Sequence, residues 1–130
     1  MPAPPILLAV NAARQQHGLP PLSWDERLAA AAARHGQDLQ VCGVLSHTGC
    51  DGSDLAARLR AADFPYRSGA ENLAVCACDA AEAVRLWMGS PGHRANLLQP
   101  EATLMGADRR TDAADPRREQ WVLVLGRERP

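Results

Sequence analysis

The sequence predicts an α+β domain in which a small sheet is layered between helices, and three observations carry that reading. Apolar residues recur at helical spacing through most of the chain, and three shorter segments have strand character. No internal repeat or Gly/Ser-rich linker divides the 130 residues. A chain of this length, with ordinary apolar and charged fractions, can bury its own core, so one domain spanning 1–130 is expected.

The first helix is expected from about Pro5 to His17, with Ile6, Val10 and Ala13 on one stripe and Gly18-Leu19-Pro20-Pro21 ending it. Ser23, followed by Glu26 three residues later, reads as a capping box opening a second helix. Its seam would be Trp24, Leu28, Ala31, His35, Leu39 and Cys42. A third helix is expected from Ser53, carrying Leu55, Leu59 and Ala62. Asp79 with Glu82 caps a fourth that carries Ala83, Val84, Trp87 and Met88. The strand candidates are 71–76, 104–109 and 120–125. The last is apolar on both faces and is therefore expected at the centre of the sheet, covered on both sides. The polar, turn-rich segment 111–118 suits a hairpin connection.

A formal net charge of -1 and few aromatic residues give neither the electrostatic footprint nor the stacking platform of a nucleic-acid binder. No apolar run approaches the roughly 20 residues that cross a bilayer. Ile6-Leu7-Leu8-Ala9-Val10 is too short and badly flanked for a signal peptide. Four cysteines, Cys42, Cys50, Cys76 and Cys78, fit oxidised pairs in a small extracytoplasmic domain. The expectation is a secreted or periplasmic domain whose signal peptide is absent from the sequence. A bridge from Cys76 to Cys78 would close a tight ring around Ala77, which favours cross pairing between the two cysteine groups. The Cys-x7-Cys and Cys-x-Cys spacings depart from the clips that hold structural zinc.

Three short motifs carry the polar chemistry: Ser46-His47-Thr48-Gly49, Ala70-Glu71-Asn72-Leu73-Ala74 and Ser90-Pro91-Gly92-His93-Arg94-Ala95-Asn96. Glycine and proline beside each imidazole put it on a turn or at a helix start, where it can face a cleft. His47, Glu71 and His93 would make a three-ligand site for zinc or another divalent cation, with an open position for water or substrate. Without metal they form a cluster titrating near neutral pH, the carboxylate favouring protonated imidazoles, so metal affinity would fall in acid. The same residues also read as hydrogen-bonded turn residues, with Glu71 bonding backbone amides. His35, on a helix seam, reads as a satisfied, partly buried imidazole, and His17 as a partner of its helix C-terminus. Trp24, Trp87 and Trp121 read as core, and Glu82 as a cap.

In this combination and order the motifs resemble the CAP superfamily of cysteine-rich secretory proteins, antigen 5 and plant pathogenesis-related proteins, in its short bacterial form. Asn11-x-x-Arg14, then Leu22-Ser23-Trp24 with Leu28 and Ala32, is similar to the family's opening, and the run from Trp87 to Leu98 is similar to its histidine motif. The resemblance implies a three-layer α-β-α sandwich with a central antiparallel sheet and a cleft lined by two histidines and acidic residues. His47, Glu71 and His93 occupy the matching positions, and Ser90, Arg94 and Asn96 support them. Many eukaryotic members place a second glutamate just after the tryptophan of the fourth helix. Gly89-Ser90 stands there in this chain, so the acidic half of the set is incomplete.

The leading functional expectation is a monomeric, secreted, non-catalytic binding module whose cleft holds a divalent metal, a small molecule or a lipid. A hydrolase acting on an ester or peptide, with His47, Glu71 and His93 as catalytic candidates, is the second. A protein-interaction module using loops such as 108–118 is the third. Gly-x-Ser-x-Gly and His-Glu-x-x-His motifs are both absent from the sequence.

Overall fold

The computed structural model describes residues 3–130. Helix α1 spans Pro5–Gln16 and buries Ile6, Val10 and Ala13 as the periodicity predicts. Its proline start gives up no helical hydrogen bond, and Gly18, at φ +71, takes the left-handed turn that ends it. Buried Arg14 shares the apolar stripe. Its guanidinium donates to the carbonyls of Pro20, Leu97 and Gln99, so the charge rests on carbonyls at the end of a later helix.

The next segment departs from expectation. Ser23 and Trp24 form a short strand, β1, and the helix cap is Asp25, whose carboxylate accepts from the amides of Arg27 and Leu28. Helix α2 then runs Glu26–Cys42 and ends on Gly43 at φ +74, with Leu28, Ala31, His35 and Leu39 buried along it. Ser23 has cap chemistry, but its amide bonds the Thr103 carbonyl instead. Helix α3, Leu55–Ala61, is capped by Asp54, one residue after the expected Ser53. Strand β2 spans Tyr66–Cys76, starting five residues earlier than its apolar part suggests. Helix α4, Ala80–Met88, opens with the reciprocal Asp79–Glu82 capping box read from the sequence. A seven-residue helix α5, Pro91–Leu97, follows, then β3, Leu104–Thr111, and β4, Glu119–Glu128. Asp108–Thr111 are therefore strand, and only residues 112–118 form the hairpin loop.

The sheet has the order β1-β3-β4-β2. Strand β4 is antiparallel to both neighbours, whereas β1 runs parallel to β3, so the sheet is mixed instead of purely antiparallel. Alternation along β4 separates two cores. Trp121, Leu123 and Leu125 pack with residues of α1, α4 and α5, while Val122 and Val124 pack with residues of α2 and α3. This is the three-layer sandwich, with the apolar central strand where both its faces demand it. Gly106 lets β3 press onto α2, because a methyl at that position would lie inside the backbone of Leu28 and Ala29.

The cysteines pair as Cys42–Cys50 and Cys76–Cys78, with Cα–Cα separations of 6.5 and 5.1 Å. This corrects the expected cross pairing, and the layers explain why. Cys42 closes α2 on one side of the sheet, whereas Cys76 and Cys78 pack against the core on the other, so each thiol meets only its local partner. No helix of the described residues is long and apolar enough to cross a membrane.

Candidate functional site

Glu71 is the centre of the site, and its environment follows from its register on β2. It faces the layer built from α2 and α3, as its neighbour Leu73 does, and only 2% of its side chain is exposed. A buried carboxylate needs a partner, and Arg58 of α3, itself wholly buried, supplies one. Arg58 Nη2 donates to Oε2 at 2.9 Å and to Oε1 at 3.1 Å. The same nitrogen donates to the His47 carbonyl, and Nη1 donates to the carbonyl and hydroxyl of Ser53. One guanidinium thus ties the carboxylate to both ends of the segment that carries His47.

His47 Nδ1 lies 2.9 Å from Glu71 Oε1. Against an ionised carboxylate, which only accepts, Nδ1 is the donor, and the neutral tautomer that this contact selects has Nε2 as its unprotonated nitrogen. The ring is 61% exposed. His47 therefore contributes little to the core and presents a fixed lone pair outward. His35 sits behind it, fully buried on α2, with Nε2 2.7 Å from the Ser46 carbonyl and 3.8 Å from Glu71 Oε1. Burial pulls the His35 pKa down, with the Glu71 charge opposing, so the ring is neutral and donates through Nε2. The seam histidine thus has one structural hydrogen bond, while its buried Nδ1 has no partner among the described residues.

His93 approaches from the opposite layer. Asn72, next to Glu71 on β2, points to the other face of the sheet, where its Nδ2 donates to the His93 carbonyl at 3.0 Å. Asn96 Nδ2 donates to Asn72 Oδ1 and to the Glu71 carbonyl. Trp87 Nε1 takes the Leu73 carbonyl. Residues 71 and 73 alternate on the free edge of β2, so Trp87 and Asn96 satisfy edge carbonyls that no further strand takes. The backbone of half-buried His93 is thereby fixed in the first turn of α5. Arg94 braces α5 against α1 through His17, its Nη2 donating to Nε2 at 2.9 Å while His17 Nδ1 bonds the Ala13 carbonyl. Ser90 is the N-cap residue of α5 but makes no side-chain capping bond.

The structure joins His47 to Glu71 by a side-chain hydrogen bond and ties His93 to that pair through backbone. Among the described residues no group of three His, Cys, Asp or Glu side chains is spaced to hold a metal ion. The chemistry of the donor set agrees, because both Glu71 oxygens are engaged by Arg58 and one also by His47. Glu71 is built to orient an imidazole. Arg58 escapes sequence reading because it looks like one of the polar positions of a short amphipathic helix. The available signal is its place directly beside Leu59, on the buried side of the Leu55-Leu59 stripe. Trp87 and Trp121 are core as expected, their indole nitrogens held by Leu73 and Cys78 carbonyls, and Trp24 packs partly buried at the rim of the same core.

The α-β-α sandwich thus sets an imidazole against a buried glutamate on the edge strand of its sheet. The model of the cysteine-rich secretory protein family matches residues 7–125, and the chain belongs to that CAP family. It is 34% identical over 101 residues, or 78% of its length, to the uncharacterized membrane protein YlbC of Bacillus subtilis, covering 29% of that protein. It is 33% identical over 96 residues to the uncharacterized protein YkwD of the same organism, covering 74% of this chain and 37% of that protein. The chain therefore spans about a third of the length of these relatives. In structure it is similar to an extracellular SCP-domain protein from Bacillus anthracis, with a TM-score of 0.85, 26% identity, and coverage of 98% of this chain and 45% of that one.

Proposed function

We propose that this CAP domain is a secreted binding module whose ligand-facing group is Nε2 of His47, with Glu71 as the residue that positions it. The observation that carries this is the 2.9 Å contact between His47 Nδ1 and a carboxylate already neutralised by Arg58. That arrangement spends the carboxylate on fixing tautomer and ring orientation and leaves one nitrogen for a ligand's hydrogen-bond donor or for a cation. For a divalent metal such as zinc, the imidazoles of His47 and His93 are the donors proposed, and Glu71 acts behind His47 instead of as a ligand. Calorimetric titration of zinc into chelator-treated protein tests this. One binding event is expected, lost in His47→Ala, weakened in His93→Ala and weakened about 10–100-fold in Glu71→Gln. Binding unchanged in His47→Ala overturns it.

The same pairing supports a second reading, a hydrolase in which His47 Nε2 takes a proton from water. Esterase or peptidase turnover lost in His47→Ala and Glu71→Gln is its expected signature, and turnover surviving both variants contradicts it. For a lipid, the groove of about 460 Å3 between α1 and α4 offers an apolar wall of Ala9, Ala13, Val84 and Met88 beside polar Gln16, His17, Arg85 and Arg94.

A further inference from the structure

Arg58 and Arg60 lie two residues apart on α3 and face opposite ways. Arg58 is buried against Glu71, whereas Arg60 points outward to a concavity of about 350 Å3 lined by Arg60, Phe64, Pro65, Tyr66 and Arg129. An adjoining concavity of about 310 Å3 shares four of these residues and adds Asp63 at its rim. We propose that this concavity is an anion site that takes a phosphoryl group.

Three features build the case. Neither Arg60 nor Arg129 has a carboxylate within ion-pair distance among the described residues, although seven other arginines do. Two uncompensated guanidinium groups from different elements therefore share one hollow, which suits a doubly charged tetrahedral anion better than a carboxylate that a single guanidinium fork satisfies. The backbone of one and the guanidinium of the other are anchored. The Arg129 amide donates to the Pro65 carbonyl at 2.8 Å, and Arg60 Nη1 donates to the Tyr66 hydroxyl oxygen at 3.4 Å. Since that phenol oxygen accepts from Arg60, its own proton is available to the anion. The volume lies at the lower end of the roughly 300–1,000 Å3 of small-ligand sites. Asp63 is the carboxylate that lines the adjoining concavity, and it forms no ion pair with either arginine among the described residues.

A phosphoryl group reaches a secreted domain either on a soluble phosphate ester or on a phospholipid headgroup, and the test separates the two. Inorganic phosphate and glycerol phosphate are titrated into the full chain by calorimetry, and flotation is measured on phosphatidylcholine vesicles with and without phosphatidic acid. Saturable binding is expected with a Kd of about 1 mM or tighter, weakened about tenfold by Arg60→Ala or Arg129→Ala and abolished by both. Arg117→Ala, at an exposed arginine of the 112–118 loop, should leave binding unchanged. Flotation only with phosphatidic acid, competed by inorganic phosphate, assigns the lipid source. Ester binding without flotation assigns the soluble one. Circular dichroism checks that the variants fold, as expected for exposed positions. No saturation up to about 10 mM phosphate, or affinity indifferent to both substitutions, overturns the proposal.

Discussion

Replacing Arg58 by methionine isolates the electrostatic core of the site. Methionine keeps most of the aliphatic volume in α3 but removes the guanidinium that faces Glu71, whose side chain is 2% exposed. The carboxylate would be left desolvated with only His47 as partner, and the carbonyls of His47 and Ser53 would lose their donor. Breaking one side of a buried pair costs about 3–5 kcal/mol, a large share of the roughly 5–15 kcal/mol that holds a domain folded. At this chain length that corresponds to a melting temperature lower by roughly 11–18 °C. Urea unfolding of Arg58→Met, Glu71→Leu and the double variant completes the cycle. The double variant should be less destabilised than the sum of the singles by at least about 2 kcal/mol, because an apolar pair leaves no orphaned charge. Arg34→Met, which removes an exposed pair with Asp51, should leave the midpoint unchanged. A cost for Arg58→Met below about 1 kcal/mol, or additivity in the cycle, refutes the reasoning.

Burial depresses the His35 pKa, so the unfolded chain takes up that proton first as pH falls below about 6.5. This stability is present at neutral pH and is lost from there down to the folded pKa. The slope of unfolding free energy just below about pH 6.5 should therefore be shallower in His35→Gln than in the wild type, and equal slopes contradict it. His47→Ala, at an exposed ring with one hydrogen bond, should cost at most about 1 kcal/mol in urea unfolding, in contrast to Arg58→Met. Gly106→Val should destabilise by more than about 3 kcal/mol, since its side chain meets backbone of α2 that cannot rotate away. Peptide mapping of the non-reduced protein should recover Cys42 linked to Cys50 and Cys76 linked to Cys78, with no cross-linked peptide.

What the sequence discloses is what local chemistry decides. The Asp79–Glu82 box is visible because both partners of the cap lie within four residues, and β4 is visible because 121–125 is apolar on both faces. Ser23 misleads because its amide is claimed by Thr103, a residue far along the chain, and the cap falls to Asp25 two positions later. The first strand is missed for the same reason: a two-residue segment has no periodicity, and only β3 defines it. At the site, His47, Glu71 and His93 are visible as small-residue motifs, but their division of labour depends on strand register. Register sends Glu71 to the face of Arg58 and His35 and Asn72 to the face of Asn96 and α5. Cysteine pairing fails on the same ground, because the sheet that separates the two cysteine groups is a tertiary fact.

The claim beneath all of this is that Glu71 fixes the proton of His47 on Nδ1 and leaves Nε2 open. Long-range proton–nitrogen NMR of the imidazoles at neutral pH reads this directly. His47 should show a protonated, pyrrole-like Nδ1 and a pyridine-like Nε2, with that preference lost in Glu71→Gln. A His47 ring carrying its proton on Nε2, or one indifferent to Glu71→Gln, would contradict it.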